Sequence, residues 1–129
     1  MDTRSKILTA GAASAAPWPA FDRPLAVATG YFDVLRAADA RELAEVRQRS
    51  GAKSLVVVVL RLSGEVLPLR ARAELVAALR MVDYVVTADL EDVGELVGTL
   101  KPDELVRMEA ACAARSRGLI EHVHQRQTR

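Results

Sequence analysis

The sequence contains few of the residues that hold small secreted or metal-binding proteins together. Cys112 is the only cysteine in 129 residues, so the chain can form neither an internal disulfide nor a cysteine-rich metal site. A single cysteine favours a reducing cytosol as the compartment. We expect Cys112 to be a small core residue rather than a nucleophile, because no histidine is placed to activate it.

Aromatic residues and excess charge are also scarce. Aromatics make up 4% of the chain and the net charge is +1, so we expect no nucleic-acid partner. No apolar run approaches the roughly 18–20 residues of a membrane span, and no membrane partner is expected. The Ala-rich stretch 10–20 contains two prolines and no apolar core, so it is not a signal peptide. A cytoplasmic location is the resulting expectation.

Hydrophobic residues are abundant, at 50% of the chain, which is enough for one domain with its own core. We expect residues 24–129 to form that domain. Residues 1–23 would be an N-terminal segment that packs on the domain or links to it, with a short ordered stretch at residues 6–9. Trp18 and Phe21 are expected to pack on the body of the protein rather than to bind a ligand.

Three apolar runs predict strands, at residues 25–29, 55–60 and 84–88. The second, LVVVVL, is a continuous β-branched run, which is typical of a strand covered on both faces in a parallel sheet. Asp39 followed by Glu42 fits a capping box and predicts a helix over residues 39–51.

Further helices are predicted after the second and third strands. One runs from Leu69 or Arg70 to Met81, and a short one starts at Asp89 and Asp92. Two alternatives remain for the C-terminal part. Residues 103–127 form one long helix, or residues 103–107 form a fourth strand before a later helix.

This alternation predicts an α/β fold with a Rossmann-like, doubly wound parallel sheet in a three-layer α/β/α arrangement. Ligands in such sheets bind at the carboxyl ends of the strands, near the point where the chain reverses direction. The predicted site is therefore the strand–loop–helix connection at residues 29–39.

Four stretches resemble one superfamily, in the right order along most of the first 105 residues. Residues 29–35, TGYFDVL, resemble the (T/N)-G-x-F-D-x-x-H-x-G-H opening motif of the cytidylyltransferase-like nucleotidyltransferases. Residues 68–86, the LKPD at 100–103 and the SKILT at 5–9 are similar to further segments of that superfamily. The closest type is ADP-heptose synthase, the heptose-1-phosphate adenylyltransferase. The resemblance implies the same fold.

The reactive part of that motif differs here. In the family, two histidines bind the phosphates of a nucleoside triphosphate, and a glycine lets the backbone approach the nucleotide. Arg36 and Asp39 stand where the histidines would be, and Ala38 replaces the glycine. A carboxylate at a helix N-terminus takes the place that an anionic phosphate would need, and it adds a like charge beside that phosphate.

Other family features are also reduced. The basic stretch after the second strand is short here, at residues 61–67, with one basic residue, and Arg107 and Met108 replace a lysine-glycine pair. The family's later nucleotide loop has no counterpart, because residues 110–124 have a helical pattern. The candidate phosphate- or nucleotide-binding residues are Thr29, Gly30, Tyr31, Phe32, Asp33, Arg36, Asp39 and Arg72, with a largely structural family role for Asp33.

Two functional hypotheses follow. In the first, the domain is catalytically degenerate and acts as a binding or interaction module, and a homodimer is the assembly that the sequence leaves open. In the second, it is an active nucleotidyltransferase. It would transfer AMP or CMP from a triphosphate to a sugar- or polyol-phosphate, release pyrophosphate, require Mg²⁺, and use Arg36 and Arg72 as phosphate clamps. A weaker third hypothesis is that the loop binds another small anion without reaction. His122 and His124 face different directions on a helix, so no metal site is expected.

Overall fold

One parallel sheet organises the part of the chain that the computed structural model describes, residues 3–9, 21–33, 35–61 and 67–109. Its strands are β1 (Ile7–Thr9), β2 (Leu25–Gly30), β3 (Ser54–Leu60), β4 (Tyr84–Ala88) and β5 (Glu104–Arg107). The helices are α1 (Ala37–Ser50), α2 (Leu69–Ala77) and α3 (Val93–Leu100), with short 3-10 turns at Thr3–Lys6 and Leu90–Asp92.

The strand order is β1-β4-β3-β2-β5, and every neighbouring pair is parallel. The chain moves from β2 through β3 to β4 and then returns to place β5 on the other side of β2. Helices therefore cover both faces of the sheet, and the predicted three-layer α/β/α Rossmann-like fold is confirmed. The reversal of direction lies between β2 and β5.

The β-branched strand β3 lies at the centre and is buried along its whole length. Successive side chains of a strand point to opposite faces, so β3 supplies two separate cores. Val57 and Val59 pack with α1 and α2, whereas Val56 and Val58 pack with α3. Each fully buried valine contributes roughly 1.5 kcal/mol or more to folding, so the central strand is a major source of stability.

The ends of two elements correct or complete the sequence-based prediction. Helix α2 ends at Ala77, not at Met81, because the Val82 N–H bonds to the Leu79 carbonyl in a tight turn that leads into β4. The open question at residues 103–107 is answered by β5. The rest of the predicted C-terminal helix lies outside the described residues.

The N-terminal residues contribute a strand. Ile7–Thr9 pairs with β4 in the register Ile7↔Val85, so the sheet includes residues before position 24. The division into residues 1–23 and 24–129 otherwise stays a prediction. Phe21 contacts Tyr84 edge-on, with ring centroids 5.3 Å apart. Trp18 lies outside the described residues, and no described helix is long and apolar enough to cross a bilayer.

Two aspartates clasp the amino-terminal edge of the sheet in the same way. The backbone N–H of Asp83 donates to the Leu55 carbonyl, and its Oδ2 accepts the Leu55 N–H at 2.8 Å. The N–H of Asp103 donates to the Leu25 carbonyl, and its Oδ2 accepts the Leu25 N–H at 2.7 Å. Each aspartate therefore fixes its own strand, β4 or β5, against the first residues of the neighbouring strand.

The clasp at Asp103 should make folding sensitive to acid. The Leu25 N–H is the main cause that lowers the pKa of Asp103, and the Arg23 guanidinium, 3.2 Å away, adds to it against the opposing effect of desolvation. A lowered folded-state pKa gives stability that is present above the unfolded-state value, about 3.9, and that is lost as pH falls through the folded-state pKa.

We therefore expect Asp103→Asn to lower the free energy of unfolding at neutral pH. The difference in free energy of unfolding between this variant and the unaltered protein should shrink below about pH 4. Urea titrations at several pH values would measure this. Arg23→Met is the matched variant, because it removes the guanidinium and leaves the Leu25 N–H. It should keep most of the acid dependence; a profile as flat as that of Asp103→Asn would assign the effect to the ion pair.

Candidate functional site

The candidate site lies at the carboxyl edge of the sheet, where β2 ends at Gly30. Ligands of open α/β sheets bind at this edge, in the crevice where the strand order reverses. Tyr31 packs against both cores and Phe32 is 1% exposed, so the loop after Gly30 is anchored in the body of the protein. Phe32 has a φ of +49°, a left-handed conformation that a bulky residue rarely adopts.

Helix α1 begins at Ala37 with Arg36 as its N-cap, so the prediction that Asp39 caps the helix and pairs with Glu42 is wrong. Asp39 is the third residue of the helix. Its Oδ2 accepts the backbone N–H of Arg36 at 3.0 Å, and the carboxylate therefore satisfies a backbone donor at the start of the helix. The Asp39 side chain is 1% exposed, whereas Arg36 is exposed. Gly51 ends the helix with a φ of +63°, as the sequence predicts.

Arg72 is fully buried, and its guanidinium binds backbone carbonyls inside the protein. Its Nη1 donates to the carbonyls of Tyr31 and Leu60, each at 2.8 Å, and its Nε donates to the Leu67 carbonyl at 3.0 Å. The guanidinium therefore joins the end of β3, the loop after β2 and the residues before α2. This arrangement makes Arg72 a tether for the candidate site.

Asp33 strengthens the same junction. Its Oδ1 accepts the Leu67 N–H at 3.0 Å, and the residue is 4% exposed. Asp33 and Arg72 thus hold both polar groups of the Leu67 backbone, the N–H and the carbonyl. The loop after β2 and the start of the α2 segment are fixed relative to each other.

The β5 side of the crevice carries a polar contact to β2. The Thr29 hydroxyl donates to Oε1 of Glu109, and the Met108 N–H donates to the Thr29 carbonyl at 2.7 Å. Thr29 is fully buried and Glu109 is half-buried, so Glu109 is the residue of the pair that solvent reaches. Arg107 is the register partner of Thr29 and is exposed.

The neighbouring strand ends carry opposite charges. Arg61, which follows β3, donates from Nε to Oδ1 of Asp89, which follows β4, at 2.8 Å. Both side chains are exposed, so the pair contributes little to stability. Among the described residues, no three His, Cys, Asp or Glu side chains are placed to hold a metal ion. Cys112, His122 and His124 lie outside the described part.

The structure gathers most of the predicted site residues around one loop. Thr29 to Asp33 and Arg36 to Asp39 lie between the end of β2 and the first turn of α1, and Arg72 reaches that loop through the Tyr31 carbonyl. Glu109 was not predicted. The signal available in the sequence was its place just after a possible fourth strand, since such a strand would end at the same edge as β2.

Comparisons with known proteins agree with this architecture. No protein-family profile matches the chain, and no curated protein matches it. The fold is similar to the crystal structure of the lipopolysaccharide core biosynthesis protein from Thermoplasma volcanium GSS1. The TM-score is 0.58, with 27% sequence identity over 63% of this chain and 70% of that chain. This likeness supports a nucleotidyltransferase-like fold.

Proposed function

We propose that the chain is a nucleotidyltransferase-like domain that has lost the family's catalysis and acts as a binding module. The main support for this proposal is the carboxylate of Asp39, which is buried in the first turn of α1 and accepts the Arg36 N–H. A helix N-terminus offers backbone N–H groups and a positive field to a phosphate. Asp39 takes one of these groups and opposes the approach of an anion.

The residues at positions 36, 39 and 72 also support the loss of catalysis. The family's motif places histidines at positions 36 and 39, whereas an exposed arginine and a buried aspartate stand there in this chain, and neither supplies an imidazole. Arg72, the other candidate clamp, donates hydrogen bonds to three backbone carbonyls. The loop after β2 then acts as a binding surface and not as a reactive centre.

The active alternative rests on the exposed cations at this edge. Arg36 and Arg107 are exposed beside the end of β2 and present guanidinium groups that suit phosphate. The similarity to a lipopolysaccharide core biosynthesis protein favours a sugar-phosphate as the acceptor of AMP or CMP under this alternative. Mg²⁺ in such sites is usually bound by one or two carboxylates together with the phosphates, so the triphosphate would supply much of its coordination.

A nucleotide titration separates the two functions. We expect neither ATP nor CTP with Mg²⁺ to shift the melting temperature of the protein appreciably, and no pyrophosphate to be released in the presence of sugar-phosphates. The same titration is then made with Arg36→His/Ala38→Gly/Asp39→His, which restores the family's pattern and should bind nucleotide more tightly.

Arg41→His/Glu45→His is the matched control, since both residues are exposed on α1 and the charge change is the same. Turnover by the unaltered protein would overturn the proposal. A restored variant that binds no better than the control would mean that the pocket is lost more widely than at the two histidine positions.

A further inference from the structure

We propose that the Glu109 carboxylate occupies the crevice between β2 and β5 and thereby excludes small phosphate-bearing anions from it. This inference rests on the proposed function, since it explains how the same site is kept from its ligand. It concerns a residue that lies just after β5 and 80 residues from Thr29 in sequence.

Glu109 is in direct hydrogen-bond contact with Thr29. The hydroxyl of Thr29, the penultimate residue of β2, donates to a carboxylate oxygen of Glu109. A carboxylate oxygen and a phosphate oxygen are both anionic acceptors for a hydroxyl donor. The protein therefore supplies from its own chain the kind of atom that an anionic ligand would bring.

Thr29 and Glu109 are both shielded from solvent, to different degrees. Thr29 is 0% exposed although it is the penultimate residue of β2 at an open edge of the sheet, whereas Glu109 is half-buried. The neighbouring Met108 is 1% exposed and packs in the core that α1 and α2 cover. Its N–H donates to the Thr29 carbonyl at 2.7 Å, which holds Glu109 in place over the hydroxyl.

Local charge also supports this role of Glu109. Arg107 is in register with Thr29 on the adjacent parallel strand, so their side chains leave the same face of the sheet. An anion bound at Thr29 would lie near this exposed guanidinium. Glu109 adds a negative charge to the same position, and like charges at a partly desolvated site repel strongly. Without that charge, the crevice has a hydroxyl and a guanidinium on one face.

Isothermal titration with inorganic pyrophosphate tests the inference. Glu109→Gln keeps an acceptor for the Thr29 hydroxyl and removes the charge, so it should bind pyrophosphate at least about tenfold more tightly than the unaltered protein. Glu45→Gln is the control, because it makes the same charge change at an exposed position midway along α1. Adding Thr29→Val to Glu109→Gln should abolish the gain, since the donor is then absent.

The outcomes distinguish this inference from the proposed function. Equal pyrophosphate affinity for Glu109→Gln, Glu45→Gln and the unaltered protein would overturn the role of Glu109, and so would a gain that survives Thr29→Val. Pyrophosphate release by the unaltered protein would overturn the proposed function instead. Glu109→Ala, which leaves open space beside Thr29, should bind pyrophosphate at least as well as Glu109→Gln if its melting curve shows that it is folded.

Discussion

Arg72→Met is expected to lower the free energy of unfolding by about 3–5 kcal/mol, which is a large fraction of the stability of a small domain. The guanidinium of Arg72 is fully buried and donates hydrogen bonds to the carbonyls of Tyr31, Leu60 and Leu67. Methionine fills a similar volume but offers no donor. A buried carbonyl without a partner costs about 1–3 kcal/mol, and partial relaxation toward solvent reduces the sum.

The neighbouring arginine provides a matched control. Arg70 lies on the same helix, is exposed, and pairs with Glu74 one turn later. Arg70→Met should cost less than about 1 kcal/mol, since exposed ion pairs within a helix contribute little. Arg72→Lys should fall between the two arginine-to-methionine variants, because an ammonium group lacks the fork that spans separate carbonyls. Urea-induced unfolding followed by circular dichroism measures all three.

Similar losses for Arg72→Met and Arg70→Met would contradict the tether. The tether also has a local consequence. The loop after β2 is held through the Tyr31 carbonyl and through the Asp33–Leu67 bond, so Arg72→Met should speed amide exchange at Leu67 even under conditions where the domain remains folded. Amides in the middle of β3 should keep their protection, because the valines around them are packed on both faces.

The sheet was predictable because its central strands carry their signal locally. Residues 55–60 are β-branched without interruption, a pattern that has one simple explanation in a parallel sheet. Strand β1 has three residues, and its existence depends on pairing with β4 more than 70 residues later. No window around Ile7 contains that information. The end of α2 was missed for a related reason, since apolar residues continue to Val82 although the backbone has already turned.

The candidate site was predictable in position but not in detail. The end of β2 and the start of a helix fix where the loop lies, and the resemblance indicates that its positions 36 and 39 carry histidine in the family. Arg72 binds backbone carbonyls, which every residue has, so no partner type stands out in the sequence. Asp39 was placed at the right helix end but three residues from the true N-cap. Aspartate is favoured both at an N-cap and in the first turn, and composition alone does not separate the two.

Phe32 is expected to invert the usual order of alanine and glycine substitutions. Its ring is buried in the core that α1 and α2 cover, so Phe32→Ala should cost about 3–5 kcal/mol. Its φ of +49° is a left-handed conformation that costs an L-residue roughly 1–2 kcal/mol and glycine almost nothing. Phe32→Gly loses the same ring but escapes that cost. It should therefore be about 1 kcal/mol more stable than Phe32→Ala.

Leu43 is the control for this order, because it is equally buried and lies inside α1. There the glycine variant should be about 1 kcal/mol less stable than the alanine variant, as in any helix interior. Chemical unfolding of the four variants gives both differences. The usual order at Phe32 would mean that the left-handed turn carries no strain. The inverted order would mean that the chain accepts backbone strain directly after Gly30 in order to seat an aromatic ring in the core. That anchored ring then fixes the path from β2 into α1, on which the shape of the candidate site depends.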